Sequence, residues 1–183
     1  MRDISYAKVG EFVRALPVNK SHGQNKFTSA LFKEWWHFLG AEIHELVEFS
    51  CHSQWIWLGL NATFLTLVPK IGETLDPSGF QPISLCNVNY KIISGILIRQ
   101  LKPLLKNIVG LEQSSFVECR EIMDGILVAH EVVHSLSSSK YLGMLIKIYL
   151  SRAYDWMNWN YLLSILDAFS FSPHGLAGSN PWL

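Results

Sequence analysis

Apolar residues recur with helical spacing over residues 4–16, where Val9, Phe12, Val13 and Leu16 share one face and Pro17 supplies the stop. A polar loop follows over residues 17–26. The stripe Phe27, Leu31, Trp35, Phe38 and Leu39 is continued past Gly40 by Ile43, Leu46 and Val47. It predicts one helix over 27–49, with Thr28 or Ser29 as its cap. Residues 62–68 are rich in β-branched and aromatic side chains and end at Pro69-Lys70, which predicts a strand. Residues 71–81, with Gly72, Pro77 and Gly79, read as a loop. Helical spacing returns over 87–102 through Val88, Ile92, Gly95, Ile96 and Leu101, with Pro103 as its end or kink. A further helix spans 121–136 through Ile122, Ile126, Ala129 and Val133, closed by Ser137-Ser138-Ser139. The run GMLIKIYL over 143–150 predicts a buried strand, and a helix from Ser151 carries Trp156, Leu162, Leu163 and Leu166. Two prolines and two glycines mark residues 172–183 as irregular. The fold class is therefore α+β and helix-dominated, with strands near 62–68 and 143–149. Neither strand makes a sheet without partners.

The 183 residues suit one domain with a real core. Lys plus Arg and Asp plus Glu are 15 each, which excludes a globally basic nucleic-acid binder but leaves room for a local basic face. Hydrophobic residues at 49% and charged residues at 16% exclude disorder for most of the chain. Three widely spaced cysteines (Cys51, Cys86, Cys119) make neither a disulfide framework nor a cysteine-based zinc ribbon, and point to a reducing compartment. No apolar run opens the chain, and none approaches the roughly 18 residues of a membrane span, so the expectation is an intracellular protein away from membranes. Between Asp76 and Glu112 no acidic residue occurs, yet Lys91, Arg99, Lys102 and Lys106 all fall there. Their spacing places them on a similar helix face, the one basic surface of a neutral chain. Pattern alone favours a solvated face over a nucleic-acid contact.

His130-Glu131-Val132-Val133-His134 fits H-E-x-x-H on a predicted helix, the spacing that puts two imidazoles on one face beside a carboxylate. A catalytic zinc needs a third protein ligand. The extended pattern wants Gly and His where the chain has Ser137 and Lys140, and no Glu follows Glu131. The zinc-peptidase reading is therefore discounted, and no metal site is expected. Glycine loops for phosphates and nucleophile elbows are lacking. Trp35-Trp36 and Trp55-x-Trp57 have base-stacking chemistry, although tryptophans at helical spacing more often serve a core.

Several segments in order resemble the reverse transcriptase domain of plant non-LTR (LINE-type) retrotransposons. Asn61 to Lys70 resembles the first fingers block. Phe80-Gln81-Pro82-Ile83-Ser84-Leu85-Cys86-Asn87-Val88, with Tyr90-Lys91-Ile92-Ile93-Ser94, resembles the next block and its helix, continued by Leu101 to Leu105. Gln113-Ser114-Ser115-Phe116-Val117, with Arg120, Ile122 and Asp124, resembles the block before the palm. Lys147-Ile148-Tyr149-Leu150-Ser151-Arg152-Ala153-Tyr154-Asp155 falls where the first catalytic palm motif belongs. The resemblance implies a partial reverse transcriptase domain over 1–173, fingers plus first palm motif, and an irregular tail over 174–183. It implies nucleotide contacts at Lys70, Gln81, Arg120 and Tyr154, the last under the sugar. Lys91, Arg99, Lys102 and Lys106 become contacts to a nucleic-acid backbone.

The departures shape the functional expectation. The family's metal-binding aspartate is Tyr149 here, and a phenol is a poor ligand for magnesium, which prefers hard charged oxygens. The family's fingers arginine is Gln81, and the glycine before Arg120 is Cys119. The loop that should read Ser-Pro-Gly-Pro-Asp-Gly-Phe reads Ser21-His22-Gly23-Gln24-Asn25-Lys26-Phe27. The sequence also stops before the Y-x-D-D hairpin. The expectation is a degenerate, catalytically inactive fragment of an RNA-directed DNA polymerase with no intact catalytic residue. It needs no cofactor, whereas the intact family uses Mg2+, and its partners are RNA or DNA, weakly bound. A residual nucleic-acid-binding or interaction module is the alternative, with a zinc metallopeptidase behind it.

Overall fold

Helix α1 (Tyr6–Ala15) starts where the Ser5 hydroxyl accepts the Lys8 N–H at 3.4 Å, and it ends at Leu16, ahead of Pro17. The computed structural model describes residues 4–53, 55–70, 72, 76–139, 142–146, 148, 156–169 and 171. In chain order the remaining elements are α2 (Ser29–Glu34), α3 (Trp36–Ser53), α4 (Leu58–Asn61), β1 (Thr63–Pro69), β2 (Phe80–Cys86), α5 (Val88–Ile108), α6 (Ile122–Ser138) and α7 (Trp159–Ala168). A 3-10 turn at Pro77–Gly79 precedes β2. The protein is thus helix-rich with one small two-stranded sheet. Its described residues form two compact units, one up to Ile98 together with those from Leu166 on, the other Arg99–Ile165.

The core lies in the first unit. Val9 and Val13 of α1, Phe32 of α2, Ile43, Val47 and Cys51 of α3, and Val88, Ile92, Ile93 and Ile96 of α5 form one buried cluster. Each such fully buried aliphatic side chain contributes about 1.5–3 kcal/mol through removal from water. The absence of a side chain at Gly95 lets α5 approach α1: a Cβ there would collide with the Phe12 ring.

Four sequence expectations change. The single helix over 27–49 is two, because Trp35 leaves the helical region at ψ 18° and α3 restarts at Trp36. The break turns Trp35 and Phe38 outward, 50% and 69% exposed, and gives the core positions to Phe32, Ile43 and Val47. The loop read over 71–81 ends early, because residues 80–86 form β2, the antiparallel partner of β1 from Thr63↔Cys86 to Pro69↔Phe80. A two-stranded ribbon tolerates Pro82 where its missing N–H falls on the open edge. Pro103 does not stop α5, which runs on to Ile108. Arg120, donating to the Lys106 and Val109 carbonyls, secures the last turn and so offsets the hydrogen bond that the proline removes. Finally, residues 142–146 and 148 form no strand. Among the described residues β1 and β2 are the only strands, and an apolar run without a neighbour gains no ladder hydrogen bonds. Residues 147 and 149–155 lie outside the described residues, as does the tail 174–183. The helix expected from Ser151 is seen from Trp159 on, where Asn158 Oδ1 accepts the Tyr161 N–H at 3.2 Å.

Candidate nucleotide and nucleic-acid contacts

Lys70 and Gln81 meet at one end of the β1–β2 ribbon. Gln81 pairs with Val68, and Lys70 follows two positions after Val68, so strand alternation puts both side chains on one face. The Lys70 N–H donates to Gly79 O at 2.8 Å, and its ammonium reaches Ser78 O at 3.3 Å. Asp76 builds the turn opposite, accepting the Ser78 N–H at 3.0 Å. The result is an exposed cation and an amide at a ribbon tip, able to meet an anionic group from solvent.

Lys91 is held differently. Its ammonium donates to Ser21 O at 3.2 Å, tying α5 to the loop over 18–27. Asn87, one turn earlier, organises the same loop. Its side chain is buried, accepts the Asn25 N–H at 3.1 Å, and donates to the carbonyls of Gly59, Leu60 and Ala62 at 3.0–3.3 Å. Gly23 packs against it so tightly that a Cβ would strike the Asn87 backbone. One amide therefore joins the loop, the end of α4, the start of β1 and the β2–α5 junction. Sequence reasoning missed this role. The available signal was an Asn between a strand and a helix whose oxygen and nitrogen both need partners once buried.

In the second unit, Arg99, Lys102 and Lys106 fall within one arc of α5 at 100° per residue. Lys102 and Lys106 are exposed, and the Lys106 ammonium also reaches Cys119 Sγ at 3.4 Å. Arg120 has an internal task. Its guanidinium donates to the carbonyls of Lys106, Val109, Gly110 and Gln113, a fork that locks the loop between α5 and α6. Both terminal nitrogens of the guanidinium are thus engaged with backbone carbonyls.

Among the described residues three non-glycine positions are left-handed: Lys26 at φ 62°, Phe116 at φ 66° and Cys119 at φ 62°. Lys26 and Cys119 stand where the retrotransposon pattern noted above has glycine. The backbone keeps the glycine conformation without the glycine.

His130 and His134 lie four residues apart on α6, and both are exposed. Among the described residues no group of three His, Cys, Asp or Glu converges to hold a metal ion. Tyr149 and Tyr154 lie outside the described residues. Among the described residues no helix is long and apolar enough to cross a membrane.

A helix-rich chain with one two-stranded ribbon, together with the ordered sequence blocks, points to a polymerase-related protein. The reverse transcriptase (RNA-dependent DNA polymerase) family profile matches residues 68–182, more than half of the sequence, and the chain belongs to that family. It is also similar to the Transposon TX1 uncharacterized 149 kDa protein of Xenopus laevis, 26% identical over 170 residues that cover 93% of this chain. The chain spans 13% of the length of that relative.

Proposed function

We propose that this chain is a fingers-and-early-palm segment of a non-LTR (LINE-type) retrotransposon reverse transcriptase that no longer synthesises DNA and retains weak contact with nucleic-acid backbone. The family match and the transposon relative support the lineage. The observation that carries the loss of activity is Tyr149 in the first palm motif. Polymerisation is attack of a primer 3′-hydroxyl on a nucleoside triphosphate, and in relatives two divalent ions held by carboxylates supply the electrostatic stabilisation. Beyond position 149 this sequence carries two carboxylates, Asp155 and Asp167. Asp167 is on α7, and Asp155 stands six residues past the expected ligand.

Gln81 deepens the loss, because an amide replaces the family's arginine and leaves Lys70 as the ribbon's one cation among the described residues. Arg99, Lys102 and Lys106 are the residues to which we assign backbone contact. Primer extension on an RNA template tests the reading, with monodisperse protein and with magnesium and manganese tried separately. No incorporation is expected from the parent chain or from Tyr149→Asp. Incorporation by the parent overturns the inactivity. Incorporation by Tyr149→Asp alone shows that the 183-residue chain holds a second metal-binding carboxylate.

A further inference from the structure

Each strand of the β1–β2 ribbon turns alternate backbone groups inward to its partner and outward to solvent. The prolines show which are which. Pro69 pairs with Phe80 and Pro82 with Leu67, and a residue without an N–H cannot form the reciprocal bonds of a hydrogen-bonded pair. Both are therefore non-hydrogen-bonded pairs, consistent with the adjacent Lys70 N–H donating to Gly79 O. By alternation, the outward groups of β1 belong to Thr63, Leu65 and Leu67. Those of β2 belong to Phe80, Pro82, Ser84 and Cys86.

The two edges are not equivalent. On β2 the Phe80 N–H is already spent on Pro77 O, and Pro82 has none, so only one end of that edge can donate. On β1 three successive outward residues each offer an N–H and a C=O, and all seven β1 residues are exposed. No charged residue lies between Ser53 and Pro69, so the edge lacks the lysine that commonly blocks strand addition. Leu65 and Leu67 are 65% and 58% exposed on one face, and Phe64 is 48% exposed on the other.

We propose that the outer edge of β1 is a self-association surface that pairs antiparallel with β1 of a second copy. The edge is complementary to itself in one register. A two-fold axis through Leu65 places Leu65 opposite Leu65 and Thr63 opposite Leu67, and all three outward residues then form reciprocal hydrogen bonds. Phe64 comes opposite Thr66 in the intervening non-hydrogen-bonded pairs. The product is a closed four-stranded sheet with the proline-bearing β2 strands at its rims, where strand addition stops. Neither copy brings a charge to the seam, so no like-charge repulsion opposes the pairing. A charged or proline-bearing partner strand would forfeit either the apolar contacts or the ladder.

Sedimentation equilibrium of the full chain tests this, with Leu65→Pro as the discriminating variant. Position 65 is in the same class as 69 and 82, where the ribbon already holds proline, so the substitution removes an outward N–H and leaves the β1–β2 ladder intact. The parent is expected to show a reversible monomer–dimer equilibrium, and Leu65→Pro a monomer with an unchanged far-UV spectrum. A mixture of Phe64→Cys and Thr66→Cys chains supplies the second measurement. Oxidation is expected to join position 64 of one copy to position 66 of the other, within the Cα separation that a disulfide spans. A parent that stays monomeric at every concentration overturns the proposal. So does a Leu65→Pro chain that still dimerises, an open-ended assembly, or a dimer without the 64-to-66 crosslink.

Discussion

Lys26 and Cys119 hold a left-handed backbone that glycine adopts freely and side chains resist. Returning glycine at either position relieves that strain. Lys26→Gly and Cys119→Gly are each expected to stabilise by about 1 kcal/mol, read as a higher urea midpoint, while a β-branched residue at either site lowers it. Cys119 forgoes its contact with the Lys106 ammonium in the exchange, so its gain is the smaller. Cys51 illustrates the opposite control, of chemistry by burial. Its thiol is in the core, and burial pushes it from 9.0 up to about 11. A raised thiol stabilises the fold while it stays protonated, so this contribution is whole below 9.0 and fades as pH rises toward about 11. Thiol labelling at mild alkaline pH is expected to modify exposed Cys119 in the native protein and Cys51 only after unfolding. Prompt labelling of Cys51 would contradict its burial.

At the scale of elements, single side chains join segments that are far apart in sequence. Asn87 satisfies both ends of its amide across three segments, so Asn87→Ala leaves several backbone groups without partners and is expected to cost about 2–4 kcal/mol in chemical unfolding. Asn87→Asp loses the donor as well as gaining charge, and is expected to fare no better. Arg120 does the same for the α5–α6 connection. Lysine cannot reproduce its planar fork over four carbonyls, so Arg120→Lys is expected to raise the rate of limited proteolysis within residues 109–121 roughly tenfold, since about 1.4 kcal/mol of lost local stability is a factor of ten. An unchanged cleavage rate would return Arg120 to the pool of ligand-contacting residues.

For the whole molecule, the test concerns backbone contact by the second unit. Binding of single-stranded RNA is expected to weaken with salt. Lys102→Ala and Lys106→Ala should each reduce the slope of log affinity against log salt by about 0.7, the value for a phosphate contact on a single strand. Lys91→Ala, by contrast, is expected to alter stability and leave that slope unchanged, because its ammonium is engaged with Ser21 O. A salt slope that none of these substitutions moves would remove α5 from the interface.

The amphipathic helices were legible from the chain because their information is local: α1, α5 and α6 each repeat apolar residues every turn. The order of the blocks from Asn61 to Asp155, and the phenol at position 149, were also in the sequence alone, because covalent identity needs no neighbour. What required the tertiary structure were the outcomes of competition for partners. Residues 80–86 became a strand because β1 lay within reach, and residues 142–146 did not, because no strand among the described residues offers them a ladder. α5 passed Pro103 because a guanidinium seventeen residues later served its last carbonyls. Arg120 and Lys91 turned from solvent-facing cations into internal donors for the same reason. A backbone carbonyl without a partner is costly, and which side chain supplies that partner is settled only when distant segments meet.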